Sequence, residues 1–150
     1  MNGFAAIAGS FQEGDERMRT DYRPDKRDHV ELRVPADGRF VAALRSLATA
    51  LGAHCDLTVD EIEDLQIAVD ESCALLLPHV QHRGEWLTAR FTLAPRTIDF
   101  VASVPATAAA PDRTGFPWAV LSAVAERLEV TSTDDQLAIG FTVRREALAR

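Results

Sequence analysis

The stretch from Thr58 to His79, TVDEIEDLQIAVDESCALLLPH, constrains the fold more than any other. Thr58 reads as an N-cap with Glu61 three residues later, a capping box. Leu57 before the cap and Ile62 beyond it are spaced for a hydrophobic staple. Asp60, Glu61, Glu63 and Asp64 crowd the positive end of the helix dipole, where acids stabilise it. Ile62, Leu65, Val69, Cys73 and Leu76 recur at three- and four-residue steps, one apolar stripe. Pro78 disfavours helical geometry at Leu77, so the helix is expected to end about there. Glu71 falls roughly opposite Val69, on a side shared with Ile67, Ala68 and Leu75. It is either a solvated acid or one that lines a cavity under a neighbouring element.

With 150 residues, a single domain with a real core is expected. The formal net charge of −7 argues against nucleic acid as the main partner, because phosphate binding needs a basic face. It suits a basic protein partner through electrostatic steering. Met1–Ser10 lacks the basic start and long apolar run of a signal peptide. No run approaches the roughly 18 apolar residues of a membrane span, so a cytoplasmic protein is expected. Cys73 lies about 22 Å up the helix from Thr58, at 1.5 Å per residue. Cys55, three residues before the cap, recovers only about 10 Å of that, so two separate thiols are expected rather than a disulfide.

Along the chain, residues 1 to 28 are polar, mixed in sign and aperiodic, a flexible tail by composition. Val30, Leu32 and Val34 alternate with Glu31 and Arg33 as a half-buried strand ended by Pro35. Asp37 is positioned to cap a helix reaching about Ala53. Phe40, Val41, Leu44, Leu47, Ala48 and Leu51 form its apolar side, and Gly52 is expected to end it. Arg39 and Arg45 fall on its other side. Gln81–Glu85 is a turn around Gly84. His79 and His82 have helical spacing, but nothing nearby completes a metal site. Trp86–Leu93 and Ile98–Ser103 alternate as two strands of an antiparallel hairpin. Val104–Gly115 reads as a loop. Phe116–Leu128 reads as a helix through Val120, Leu121, Val124, Ala125 and Leu128. Val130 and Thr131 open another strand, Asp134 and Asp135 turn the chain, and Leu137, Ile139, Phe141 and Val143 alternate in the last. Glu146–Arg150 is a short tail. The order predicts an α+β fold: a two-layer α/β sandwich, three helices on one face of a mixed, mostly antiparallel sheet.

Val69-Asp-Glu71-Ser-Cys73-Ala-Leu75-Leu-Leu-Pro-His79 resembles the N-box helix of the RsbW-type anti-sigma factors, closest to the degenerate actinobacterial RsbW/UsfX-like branch. The resemblance spans about residues 29 to 145. It implies the GHKL (Bergerat) ATPase-like fold. It also implies a homodimer that sequesters an alternative sigma factor and is countered by an anti-anti-sigma partner of the STAS type. Active members are serine kinases on that partner. Glu71, Cys73 and His79 fit the pattern; Leu75 occupies the Asn position.

In active members the N-box Glu is the general base, and the Asn gives an oxygen to Mg²⁺. An Asp after the sheet strand accepts a hydrogen bond from adenine, and lid glycines admit the phosphates. Glu71 matches the base. Leu75 cannot ligate a metal. Val104, Pro105, Ala106 and Thr107 supply no acid, and Gly115 is the single lid glycine between Val104 and Trp118. The expectation is therefore an anti-sigma binding module with a degenerate nucleotide site: no cofactor, or ATP with Mg²⁺ if the site still functions. The alternative is an active ATP-dependent serine kinase with Glu71 as base. A third reading is a scaffold whose Phe116 and Trp118 form a partner patch, unless they fill the core of an empty pocket.

Overall fold

A computed structural model describes residues 28–107 and 110–146. The expected tails lie outside these residues, apart from Asp28, which already begins the first strand, and Glu146. The elements are β1 (Asp28–Pro35), a 3₁₀ turn (Gly38–Phe40), α1 (Val41–His54), α2 (Val59–Leu76) and a second 3₁₀ turn (Leu77–His79). They continue as β2 (Trp86–Ala94), β3 (Thr97–Pro105), α3 (Phe116–Val124), β4 (Glu126–Ser132) and β5 (Gln136–Arg144). The strands form one sheet in the order β1-β2-β3-β5-β4. Every pairing is antiparallel, so the sheet is simpler than the mixed one expected.

The α2 start follows its sequence closely. Thr58 accepts from Glu61 N at 3.2 Å, and Glu61 accepts from Thr58 N at 2.5 Å. Such a cap stabilises a helix by about 1 kcal/mol. The buried face of α2 is wider than the stripe read from spacing: Ala68, Ser72 and Leu75 are buried along with Leu65, Val69, Cys73 and Leu76. Among the residues placed beside Glu71, Ile67 alone is exposed. Both cysteines are free thiols, each buried.

Alternation along the strands sends one set of side chains inward. Phe91, Phe100 and Phe141 lie opposite one another across β2, β3 and β5. Their ring centroids are 5.0 and 4.9 Å apart, the first pair edge-on. Aromatic pairs of this geometry contribute about 0.5–1.5 kcal/mol beyond their burial. Leu65, Ala68, Val69 and Leu76 of α2 are fully buried and belong to the same cluster as these rings.

Three local expectations are corrected. Asp37 caps the 3₁₀ turn, accepting from Arg39 N at 2.9 Å, and α1 itself begins at Val41 without a side-chain cap. Gly52 does not end α1 but lies inside it, buried where α1 meets α2. The helix expected over Phe116–Leu128 stops at Val124, and Leu128 belongs to β4. The reason is a bulge between Glu126 and Glu129, with Arg127 at φ +50°. Leu128 follows Val124 and Ala125 by four and three residues, so it continued the helical stripe in sequence although the bulged segment places it in β4.

Candidate functional site

The N-box residues stand on the last turns of α2. Glu71 is half-buried and makes no hydrogen bond or ion pair among the described residues. The acid before it is engaged: Asp70 accepts from Arg45 Nη1 of α1 at 3.1 Å, an exposed pair. Leu75, one turn beyond Glu71, is 4% exposed. With Ala74, Pro78 and His79 it lines one wall of an open cleft of about 420 Å³. Ala110, Asp112 and Pro117 form the other wall, and Glu71 is not among the lining residues.

At the end of β3 and just beyond it, Val104 and Ala106 are apolar and covered. Val104 is fully buried and Ala106 is 5% exposed. Ala106 N donates to Asp135 O at 3.1 Å, which ties this segment to the β4–β5 turn. Pro111 is buried as well.

Asp112 is the acid that sequence reasoning missed. Its Oδ1 accepts from Thr114 Oγ1 at 2.6 Å and from Thr114 N at 2.8 Å. These bonds hold its carboxyl below its ordinary range, the side-chain bond contributing most. Asp-x-Thr before a Gly and a helix is the pattern of such a turn, so the signal was present in Asp112-Arg113-Thr114-Gly115. Gly115 is the N-cap of α3 and has an ordinary negative φ. A Cβ there would stand 3.0 Å from Asp112 Oδ2, so the glycine lets the carboxylate close onto the helix start.

Phe116 and Trp118 part company. Phe116 is 75% exposed, whereas Trp118 is half-buried against the core with the Arg113 guanidinium 4.8 Å above its ring. Neither the filled pocket nor the aromatic patch describes both. His79 stands in the 3₁₀ turn after α2 and His82 is exposed. Among the described residues no three His, Cys, Asp or Glu side chains converge as a metal site. Nor is any helix there long and apolar enough to cross a membrane.

The chemistry available in the cleft is narrow. It offers aliphatic walls, one imidazole and one carboxylate already occupied by Thr114. Leu75 has no ligating atom, so the side-chain oxygen that Mg²⁺ would take at this position is absent.

No protein-family model matches the chain. Individual proteins do. The chain is similar to the anti-sigma-F factor RsbW of Mycobacterium tuberculosis, 32% identical over 131 residues that cover 81% of this chain and 76% of that relative. It is 33% identical over 67 residues to the serine-protein kinase RsbW of Bacillus velezensis, covering 43% of this chain and 41% of that one. It is 38% identical over 52 residues to the serine-protein kinase RsbW of Bacillus subtilis, covering 35% and 32%.

Proposed function

The chain belongs to the RsbW family of anti-sigma factors, and from that premise we propose that it acts by gripping protein rather than by turning over nucleotide. It sequesters an alternative sigma factor and is displaced by an anti-anti-sigma partner of the STAS type. One observation supports this reading: Leu75 is buried at 4% exposure, and the resemblance of its segment to the N-box implies that it replaces the metal-binding Asn of an active kinase. Val104 and Ala106, buried after β3, support it, because aliphatic groups stand where the adenine acceptor would be. Each buried polar interaction lost in this way weakens nucleotide binding by about 1–3 kcal/mol. The net charge of −7 suits a basic sigma factor.

The test is capture. The full chain, immobilised, should retain one alternative sigma factor of its own cell and release it when the cognate anti-anti-sigma protein is added. Failure with every such sigma factor removes the reading.

A second reading, the serine kinase, is favoured by one feature. The Glu71 carboxylate is uncommitted among the described residues, and the cleft beside Leu75 opens one turn away. Titration calorimetry with Mg-ATP separates the two. Micromolar affinity, with phosphoryl transfer lost in Glu71→Ala, speaks for the kinase. No heat at millimolar ATP speaks for the binding module.

A further inference from the structure

The cleft at the end of α2 is apolar along Ala74, Leu75, Pro78, Ala110 and Pro117. Next to Pro117 in the chain stands Phe116, 75% exposed. An open apolar hollow with an exposed aromatic beside it has the character of a docking site. One part of the chain outside the described residues matches it in composition. Residues 4–11, FAAIAGSF, carry no charge and three large apolar side chains, Phe4, Ile7 and Phe11. The five acids and five bases that follow all fall within residues 13–27. Those charges would find little in the cleft, where the one carboxylate, Asp112, is already held by Thr114. Length fits as well. Asp28 shares a hollow with Cys55 and Asp56, just before α2 begins. The cleft lies at the other end of that 18-residue helix, about 27 Å away at 1.5 Å per residue. A free chain of the length separating Phe4 from Asp28 spans roughly 25–29 Å. A tether whose span matches the gap presents its end at about millimolar concentration. The other terminus cannot do the same. Residues 147–150 follow Glu146, which lines a pocket with Thr58 at the start of α2, and so short a segment reaches at most about 14 Å.

We propose that residues 4–11 dock in this cleft of their own chain, over Leu75 and against Phe116, as a built-in plug. Phe4, Ile7 and Phe11 leave water for aliphatic walls, and the charged residues 13–27 run outside as the tether. The chain thereby closes the cleft to small molecules for as long as the plug is seated. The proposal takes from the functional reading only that no nucleotide fills the cleft, and the two fail separately. Mg-ATP calorimetry decides that reading; a cross-link formed without nucleotide decides this one.

Cysteine trapping in the full chain tests it. The native thiols, Cys55 and Cys73, are both buried. Ile7→Cys is combined with Ala110→Cys in the cleft wall or, as control, with Ala43→Cys, exposed near the start of α1. In dilute protein under mild oxidation, the cleft pair closes a disulfide within one chain at least tenfold faster than the control pair. Phe4→Ser with Phe11→Ser, added to the cleft pair, brings the rate down to that of the control. A second arm needs no introduced thiol. In hydrogen exchange, amides of residues 112–116 exchange at least fivefold more slowly in the wild type than in the variant carrying Phe4→Ser and Phe11→Ser. Equal trapping rates for the two pairs overturn the proposal, and so does exchange that the serines leave unchanged. A disulfide formed only between chains overturns it as well, because the occupant would then be a second copy. Protection that appears only when another protein is added assigns the cleft to that protein and overturns it too.

Discussion

Gly52 of α1 lies so close to Ile62 of α2 that a Cβ on the glycine would stand 2.8 Å from Ile62 Cγ1. The glycine sits at the helix crossing, where the absence of a side chain sets the distance between the two helices. Gly52→Ala gains about 1 kcal/mol of helix propensity but forces Ile62 or α2 to shift, at a cost of roughly 1–3 kcal/mol. The expected net effect in urea denaturation is destabilisation by about 1 kcal/mol. Ile62→Ala in the same chain should relieve the clash, so the double variant is less destabilised than the sum of the singles.

Ser72 has the opposite problem. It is fully buried on α2, and its hydroxyl has no hydrogen-bond partner among the described residues. Burying such a group without a partner costs about 1–3 kcal/mol. Ser72→Ala removes that cost and leaves only a small void. The denaturation midpoint should rise, by the equivalent of about 1 kcal/mol. A fall of that size would mean that the hydroxyl has a use after all.

The capping box makes a pH prediction. Burial alone would raise the Glu61 carboxyl, but its hydrogen bonds with Thr58 and the Glu146 backbone, with the Arg145 charge, together hold it below its ordinary value of 4.5. A carboxyl depressed in the folded state stabilises the fold above its unfolded value. That contribution is lost as pH falls from about 4.5 through the folded value. Glu61→Gln should therefore flatten the acid limb of the stability curve below pH 4.5 while costing stability at neutral pH. Thermal melts across pH 2 to 7 check this. Thr58→Ala should cost about 1 kcal/mol at neutral pH.

Thiol chemistry gives a fourth test. Desolvation pushes the Cys73 thiol up to about 12, with a smaller contribution from Asp70. Burial also raises Cys55. Since the thiolate is the reacting species, native protein at pH 8 should alkylate slowly at both positions, and Cys73 more slowly. Both should react at once in denaturant. Mass spectrometry of peptides after a timed iodoacetamide pulse reads the order.

Leu75→Asn probes the cleft directly. Replacing a buried leucine by an amide should cost roughly 3 kcal/mol in stability. It should not create a nucleotide site, because Val104 and Ala106 still offer adenine no acceptor. Calorimetry with Mg-ATP should stay flat. A micromolar site in this variant would mean that Leu75 alone had closed the cleft.

What could be read from the chain was local. The cap at Thr58 and Glu61 spans four residues, and alternation in β2, β3 and β5 needs only a period of two. The replacement of Asn by Leu75 was implied by the resemblance of Val69–His79 to the N-box rather than by spacing. What escaped depends on where distant segments meet. Gly52 looked like a helix end because its role depends on Ile62 of the next helix. The Arg45–Asp70 pair joins residues 25 apart. The bulge in β4 counterfeited a helical period, and the split between Phe116 and Trp118 rests on one ring reaching the core while its neighbour does not. Asp112 announced its turn, but not that the turn borders a cleft.

The place of β5 has a consequence for biosynthesis. It lies between β3 and β4 in the sheet although it follows both in the chain. While the polypeptide is still emerging from the ribosome, β3 can already pair with β2, yet its other margin stays bare until residue 144 is available. Throughout that interval Ile98, Phe100 and Ala102 run beside an open backbone ladder, a target for chaperones or for other nascent copies. Slow translation through residues 106–135 would prolong this exposure, and stalling there should yield insoluble fragments rather than a partly working protein.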